Sequence, residues 1–413
     1  MAIPKHVLIV GAGLGGPCLA LSLARQKISS TIIEIRHGIS ESGGSLSLGA
    51  DALRVLDRSV GVYDRVRAAG FVYHRIGAYL EDGHKLGEVV AGEDTDQGYP
   101  AVRIMRPTLH KLLIEASQAA GDFVKIKWSG SISTIDEDDT GITARFDDGT
   151  EIRGDILIGA DGIHSQVRKH VLGSASPIPL FTNTCVINGF LPRSSAKIPS
   201  SNFTFPAIMF TPAGVFMTIP IDPEGKTLAW GVTTSEKERT RKEWSEFELS
   251  GDALRMARAE CSDIQLEPVR SLLDNAVESE ARVWPAYSIF TLPTWHTSRI
   301  CLIGDAAHAL PPNGQGSAMA FQDAALLGRM IASKSASTSY DQVFTRFEAL
   351  RRPEIEKVEK SAKPVSSLKT KSGPWIWYLK SWAFWGFFKF KGGVLRMHNG
   401  PIYDVDAVDL GKL

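Results

Sequence analysis

Cysteine is scarce in this chain. There are four among 413 residues (Cys18, Cys185, Cys261 and Cys301), with no CxxC spacing. That argues against a disulfide framework or a thiolate zinc site and fits reduced, buried thiols. Neither sign of charge is in excess, with 46 Lys+Arg against 46 Asp+Glu. No nucleic-acid or anionic-membrane partner is therefore expected from the overall charge. No apolar run reaches the roughly 20 residues of a membrane-spanning helix. Internal repeats and low-complexity tracts are also missing. The N-terminus MAIPKHVLIVGAG passes from a short apolar run straight into a glycine loop, unlike a secretory signal, so a cytoplasmic location is expected.

What remains is a chain long enough for two lobes. An apolar run over His6 to Val10 precedes GAGLGG. A helical pattern follows over 17–26, then a β-rich run over 30–35. This β-loop-α-β order opens a doubly wound parallel sheet, hence an α/β fold class. Helices are expected over 50–69 and 106–120, and strands over 123–128, 131–136, 141–146 and 155–159. The middle of the chain reads as strands broken by Pro and Gly, over 181–191, 202–210, 214–221 and 227–234. A helical stretch over 242–259 and a strand over 281–290 follow. The run 299–304 then returns to the first unit. The first domain is thus discontinuous, with a mainly antiparallel sheet inserted as a second lobe.

Gly11, Gly13 and Gly16 fit G-x-G-x-x-G. The first glycine allows a tight turn, the second lets the backbone approach a pyrophosphate, and the third permits close helix–strand packing. Glu34 ends the second strand, where a carboxylate can accept hydrogen bonds from both ribose hydroxyls of an adenosine. The alternative is a glycine-rich turn with no ligand. This motif alone does not separate FAD from NAD.

Two further stretches do: IGADGIHSQVR over 158–168 and IGDAAHALPPNGQG over 303–316. With GAGLGG and Glu34, they resemble the single-component flavoprotein aromatic hydroxylases, the family of p-hydroxybenzoate hydroxylase, over positions 7 to about 330. The resemblance implies a two-lobe fold: a Rossmann-like FAD-binding domain over 1–175 (a part that also includes some strands of the substrate lobe) and 291–365, a substrate-binding sheet domain over 176–290, and an aromatic C-terminal helix with a tail over 366–413. It implies that Asp305 accepts from the flavin ribityl chain. Pro312 stiffens the next loop, and Gly314, Gln315 and Gly316 offer backbone N–H groups to the reduced flavin ring at the start of helix 317–332. Asp161 and Gly162 would touch the pyrophosphate side and the nicotinamide site, oriented by Arg168. Arg106 would contact FAD phosphate, and Gly43, with Gly44 an equal candidate, would let the backbone pass the flavin. His308 belongs to the loop's structure rather than to catalysis.

The implied reaction consumes NADPH or NADH and O2. Through a flavin hydroperoxide, it hydroxylates or epoxidises a small hydrophobic, aromatic substrate. No catalytic residue is assigned. Phe203, Phe205, Met209, Phe216, Met217 and Trp230 are candidate pocket walls, with ordinary core packing as the alternative, and Arg193 and His296 are polar candidates. A flavin oxidase or dehydrogenase, a halogenase and a non-catalytic flavin-binding scaffold are the competing readings. The chain is expected to act as a monomer or homodimer. PWIWYLKSWAFWGFFKFK over 374–391 carries four of the nine tryptophans. It reads as a helix covering the second lobe or the active-site entrance, with weak membrane contact or a dimer contact as alternatives.

Overall fold

A computed structural model describes residues 3–41, 43–92, 98–200, 202–311, 314–368, 372–396 and 403–411. Five parallel strands form the first sheet, in the order Ile300–Leu302, Ile156–Gly159, His6–Val10, Ser29–Ile33 and Val124–Lys127. Both faces of this sheet are covered, which is why its strands read as continuous apolar runs: Val7, Leu8, Ile9, Ile156, Leu157 and Ile158 are all fully buried. The helices Gly15–Arg25 and Gly316–Ser333 pack against each other. Gly328 permits the approach, since a Cβ there would lie 2.5 Å from Ser22 Oγ. The strand Ile300–Leu302 comes from beyond the inserted sheet, so the parallel unit is built from both sides of the insertion.

The inserted sheet has eight strands, ordered Arg282–Ser288, Leu180–Pro192, Thr227–Ser235, Gly214–Pro220, Ala207–Thr211, Arg75–Leu80, Lys85–Val90 and Val394–Arg396. Its pairings are antiparallel except for two, Ala207–Thr211 with Arg75–Leu80 and Lys85–Val90 with Val394–Arg396. Helices between 241 and 275 cover one face around Trp230, Phe216 and Leu272.

A third, three-stranded antiparallel sheet joins Ser45–Leu48, Ala101–Met105 and Phe71–Tyr73. Another three strands, Glu151–Gly154, Gly141–Phe146 and Ile132–Asp138, flank the parallel unit.

Two expected helices are interrupted. The stretch 50–69 divides into Ala50–Val55, a π-turn over Leu56–Val60 and Tyr63–Ala69, with left-handed Gly61 at the break. The stretch 242–259 divides into Arg241–Leu249 and Asp252–Glu260 at left-handed Gly251. In both places the apolar periodicity continues through a glycine that turns the chain. The strand expected over 202–210 is confined to Ala207–Thr211.

Candidate FAD site

The C-terminal ends of the parallel strands lie along one edge of the sheet. Gly11 follows the first strand in a positive-φ conformation (φ 106°), where a Cβ would lie 2.5 Å from Ala160 O. At Gly16 a Cβ would lie 2.0 Å from Gly11 O. These two glycines are demanded by protein packing. Gly13 is different, because a Cβ there would meet nothing within 4 Å, and the same holds at Gly162 and Gly314. Gly162 and Gly314 carry positive φ of 78° and 79°, so their turns demand glycine by themselves, whereas Gly13 has no such demand and opens onto free space.

Helix ends sharpen the contrast. The helices Gly15–Arg25 and Gly316–Ser333 begin at Leu14 and Gln315, and neither residue makes a side-chain cap. The helix Gln166–Leu172 is doubly capped: Ser165 Oγ accepts from Arg168 N, and Asp161 Oδ2 accepts from Gln166 N and Val167 N at 2.7 and 3.1 Å. First-turn N–H groups without caps are ready anion binders.

Glu34 stands just after the second strand and is buried. Its Oε2 accepts from Ala12 N at 2.7 Å and its Oε1 from Arg36 N at 3.1 Å. Each carboxylate oxygen can accept a second bond, so both keep capacity for a ribose hydroxyl. His110 supports the same loop, donating to Ala12 O at 2.6 Å. Burial, and then the charge of Arg36, push the Arg106 guanidinium down, while Asp305 opposes them. Arg106 N donates to Gly44 O at 2.9 Å, and a Cβ on Gly43 would lie 3.4 Å from Arg106 Cβ. Gly43, Arg36, Arg106 and Asp305 therefore border one region.

Asp305 keeps open side-chain surface even though the surrounding protein raises its carboxyl above the usual range. Those two facts describe a group on the wall of a cleft. The charges of His308 and Arg106 act in the opposite sense. A Cβ on Gly316 would sit 3.9 Å from Asp305 Oδ1, so carboxylate and helix start face the same space. The open Gly13, the uncapped helix starts and this carboxylate fit FAD. Pro312 lies outside the described residues.

Asp161 has another job in its turn. Its carboxylate is spent on the cap described above and on Ser165 Oγ at 2.5 Å. The part of that segment left to face a ligand is the backbone at Gly162. Arg168 is buried and ties the two turns together, donating to Ile163 O and to Ala306 O. It is not the solvated helix arginine that its position also allows.

Sequence reasoning missed the node under the Gly304 turn. Asp323 has no exposed surface. Its Oδ2 accepts from Gly304 N at 2.8 Å and from His308 Nε2 at 2.6 Å, and its Oδ1 accepts from Arg351 Nε at 2.7 Å. Burial alone would raise this carboxyl, but His308 and Arg351 outweigh it and hold it at about 2. His308 is thereby structural. The available signal was a lone acid in the apolar run AMAFQDAALL.

Also missed was one face of the three-stranded sheet. Arg103 donates from Nε to Ser45 Oγ at 3.0 Å and from Nη1 to Ser47 Oγ at 2.8 Å, and Tyr73 donates to Ser47 Oγ at 2.9 Å. Burial pushes Arg103 down, and no carboxylate among the described residues pairs with it. A small cavity of about 10 Å³ beside it, room for about one water, is lined by Ser47, Asp51, Tyr73, Gly314 and Gln315.

The candidate pocket walls divide between two faces of the inserted sheet. Phe203, Met209, Phe216 and Trp230 pack into the core beneath the helices. Met217 pairs with Ile208 on the opposite pleat, and Ile208 packs toward Tyr73 and Ala101. Phe205 lies under Arg193, whose guanidinium is 5.1 Å from its ring centroid. His296 is engaged by Asp341 and Glu348, each at 3.6 Å.

Two outcomes follow. Gly13→Ala will leave the melting temperature unchanged but weaken FAD binding, whereas Gly16→Ala will lower both; parallel thermal melts and flavin titrations check this. Asp323→Asn will cost about 3 kcal/mol in urea unfolding, because it leaves Arg351 without its buried partner. The Asp323 carboxyl is lower in the folded than in the unfolded state, so its stabilisation is present above about pH 4. It is lost as pH falls toward 2, and the variant will lack that roughly 2 kcal/mol of acid dependence.

The family model described as FAD binding domain matches residues 5–362. The chain is 27% identical to 3-amino-4-hydroxybenzoate 2-monooxygenase PtmB3 of Streptomyces platensis, covering 87% of each chain. It is 26% identical to 6-hydroxynicotinate 3-monooxygenase of Pseudomonas fluorescens, covering 93% of this chain and 95% of that one. In fold it is similar to CtdE in complex with FAD and substrate 4, with a TM-score of 0.77 at 18% identity over 97% of this chain and 95% of that one. Klebsiella pneumoniae HpxO complexed with FAD and uric acid gives a TM-score of 0.74 at 18% identity over 94% and 95%. The chain belongs to the FAD binding domain family, and FAD is its cofactor.

Proposed function

We propose that this protein is an FAD-dependent monooxygenase that uses NADPH or NADH and O2 to hydroxylate a small aromatic substrate. The observation that carries this reading is the convergence of two uncapped helix starts, the open Gly13 and the Asp305 carboxylate at one edge of the parallel sheet. Relatives whose printed names are ring monooxygenases, spanning nearly the whole chain, support the reaction class. Four free, buried cysteines support a cytoplasmic setting; burial pushes the Cys185 and Cys261 thiols up to about 12.

Bound FAD supplies hydride acceptance and oxygen activation. The chain's own residues bind and orient it. With Gly11 N and Ala12 N already bonded to Ile33 O and Glu34 Oε2, the N–H groups over 13–16 would hold the pyrophosphate, and Glu34 would accept from the ribose hydroxyls. Asp305 would accept from the ribityl hydroxyls. The amides at Gly314–Gly316 would face negative charge on the pyrimidine ring, at the positive end of an 18-residue helix. Arg103, Ser47 and Tyr73 would border the substrate. A half-buried guanidinium without a carboxylate partner among the described residues suits a substrate bearing an anionic substituent such as a carboxylate, a preference that Asp51 opposes.

Purified protein will be yellow; NADPH or NADH will bleach it, air will restore the colour, and labelled O2 will leave one oxygen atom in the product. A colourless protein without FAD affinity contradicts the reading. Arg103→Gln will keep the flavin spectrum but raise KM for a carboxylated substrate roughly tenfold to a hundredfold. Steady-state kinetics will show kcat nearly unchanged.

A further inference from the structure

The aromatic helix Pro374–Phe390 has two apolar faces, and the fold uses only one. Trp377, Phe384 and Phe388 are buried against Ala78 and Leu86 of the inserted sheet, and Phe384 stacks on Phe210 with centroids 4.3 Å apart. This is the covering role expected of the segment. The other face stays open: Trp375 is 84% exposed, Phe390 is 87% exposed, and Ile376, Tyr378, Leu379 and Trp382 are each more than half exposed. A contiguous patch of this kind on one helix calls for a partner.

The charge on the segment chooses among partners. Residues 374–391 contain Lys380, Lys389 and Lys391 and no acidic residue, in a chain whose overall charge is balanced. A symmetric pair of copies meeting on this face would set three lysines against three with no carboxylate from the segment between them. An anionic lipid surface complements the same residues, since Trp and Tyr favour the headgroup level and Lys reaches lipid phosphate. Lys389 lies 4.4 Å over the Trp385 ring. Beside it is an open cavity of about 320 Å³, lined by His84, Lys85, Trp385 and Lys389, with Lys85 also bonded to Glu88. No described helix is long and apolar enough to cross a membrane, so the contact lies in the interface plane.

We propose that this face is an interfacial surface that seats the protein on an anionic bilayer. The inference stands apart from the flavin chemistry. Flotation of the full-length holoprotein tests it, with vesicles of phosphatidylcholine alone and of phosphatidylcholine mixed with phosphatidylglycerol. The expected result is about a hundredfold preference for the anionic vesicles, falling as salt is raised. Leu379→Glu with Trp382→Glu will abolish flotation while the flavin spectrum persists. Lys389→Glu with Lys391→Glu, a pair of exposed positions, will remove the anionic preference even if the first variant fails to fold. Wild-type protein that ignores anionic vesicles, variants that float as the wild type does, or a wild-type dimer split by the first pair of substitutions would overturn the proposal.

Discussion

The buried carboxylate of Asp323 is the constraint on which the site rests. It has no contact with solvent, and it binds Gly304 N, His308 and Arg351 at once. A charge in that position is stable only when fully paired. Satisfying it fixes the chain where the strand Ile300–Leu302 turns into the segment bearing Asp305. Because Asp323 lies within the helix Gly316–Ser333, the same bonds lock the helix start to the turn beside it. Arg168 adds a second tie, from the Ile163 turn to Ala306 O. The Gly304 and Ile163 turns and the start of the helix Gly316–Ser333 are thus tied together.

Three carboxylates at strand ends show how similar residues divide the work. Asp161 is consumed by its own helix, accepting from Gln166 N, Val167 N and Ser165 Oγ. Glu34 holds the glycine loop through Ala12 N and keeps acceptor capacity. Asp305 keeps open surface and faces the cleft. In the Gln166–Leu172 helix the caps take the N–H groups of Gln166, Val167 and Arg168, leaving little for a ligand.

Much of the parallel unit was legible in the sequence, because its strands are short apolar runs that end in glycine loops. The phosphate loop, Glu34 and the Gly314–Gly316 helix start lie at the places their local patterns imply. The three-stranded sheet was not legible. Its strands are three to five residues long and pair across sequence gaps, so no local periodicity marks them. The strands Arg75–Leu80 and Lys85–Val90 were hidden by Gly77 and Gly87. Gly87 is required there because a Cβ would lie 2.1 Å from Gly393 O. Phe216 and Met217 were treated alike as apolar, but the pleat sends them to opposite faces. The Asp323–Arg351 pair spans 28 positions, and only the fold brings it together.

The central claim is that one FAD molecule spans from the Gly11–Gly16 loop to the Gly314–Gly316 helix start. Hydrogen exchange of backbone amides, compared with and without FAD, tests it most directly. The account predicts that FAD slows exchange in both segments, 12–16 and 314–318. Protection confined to the first segment, with 314–318 exchanging as in the FAD-free protein, would contradict it.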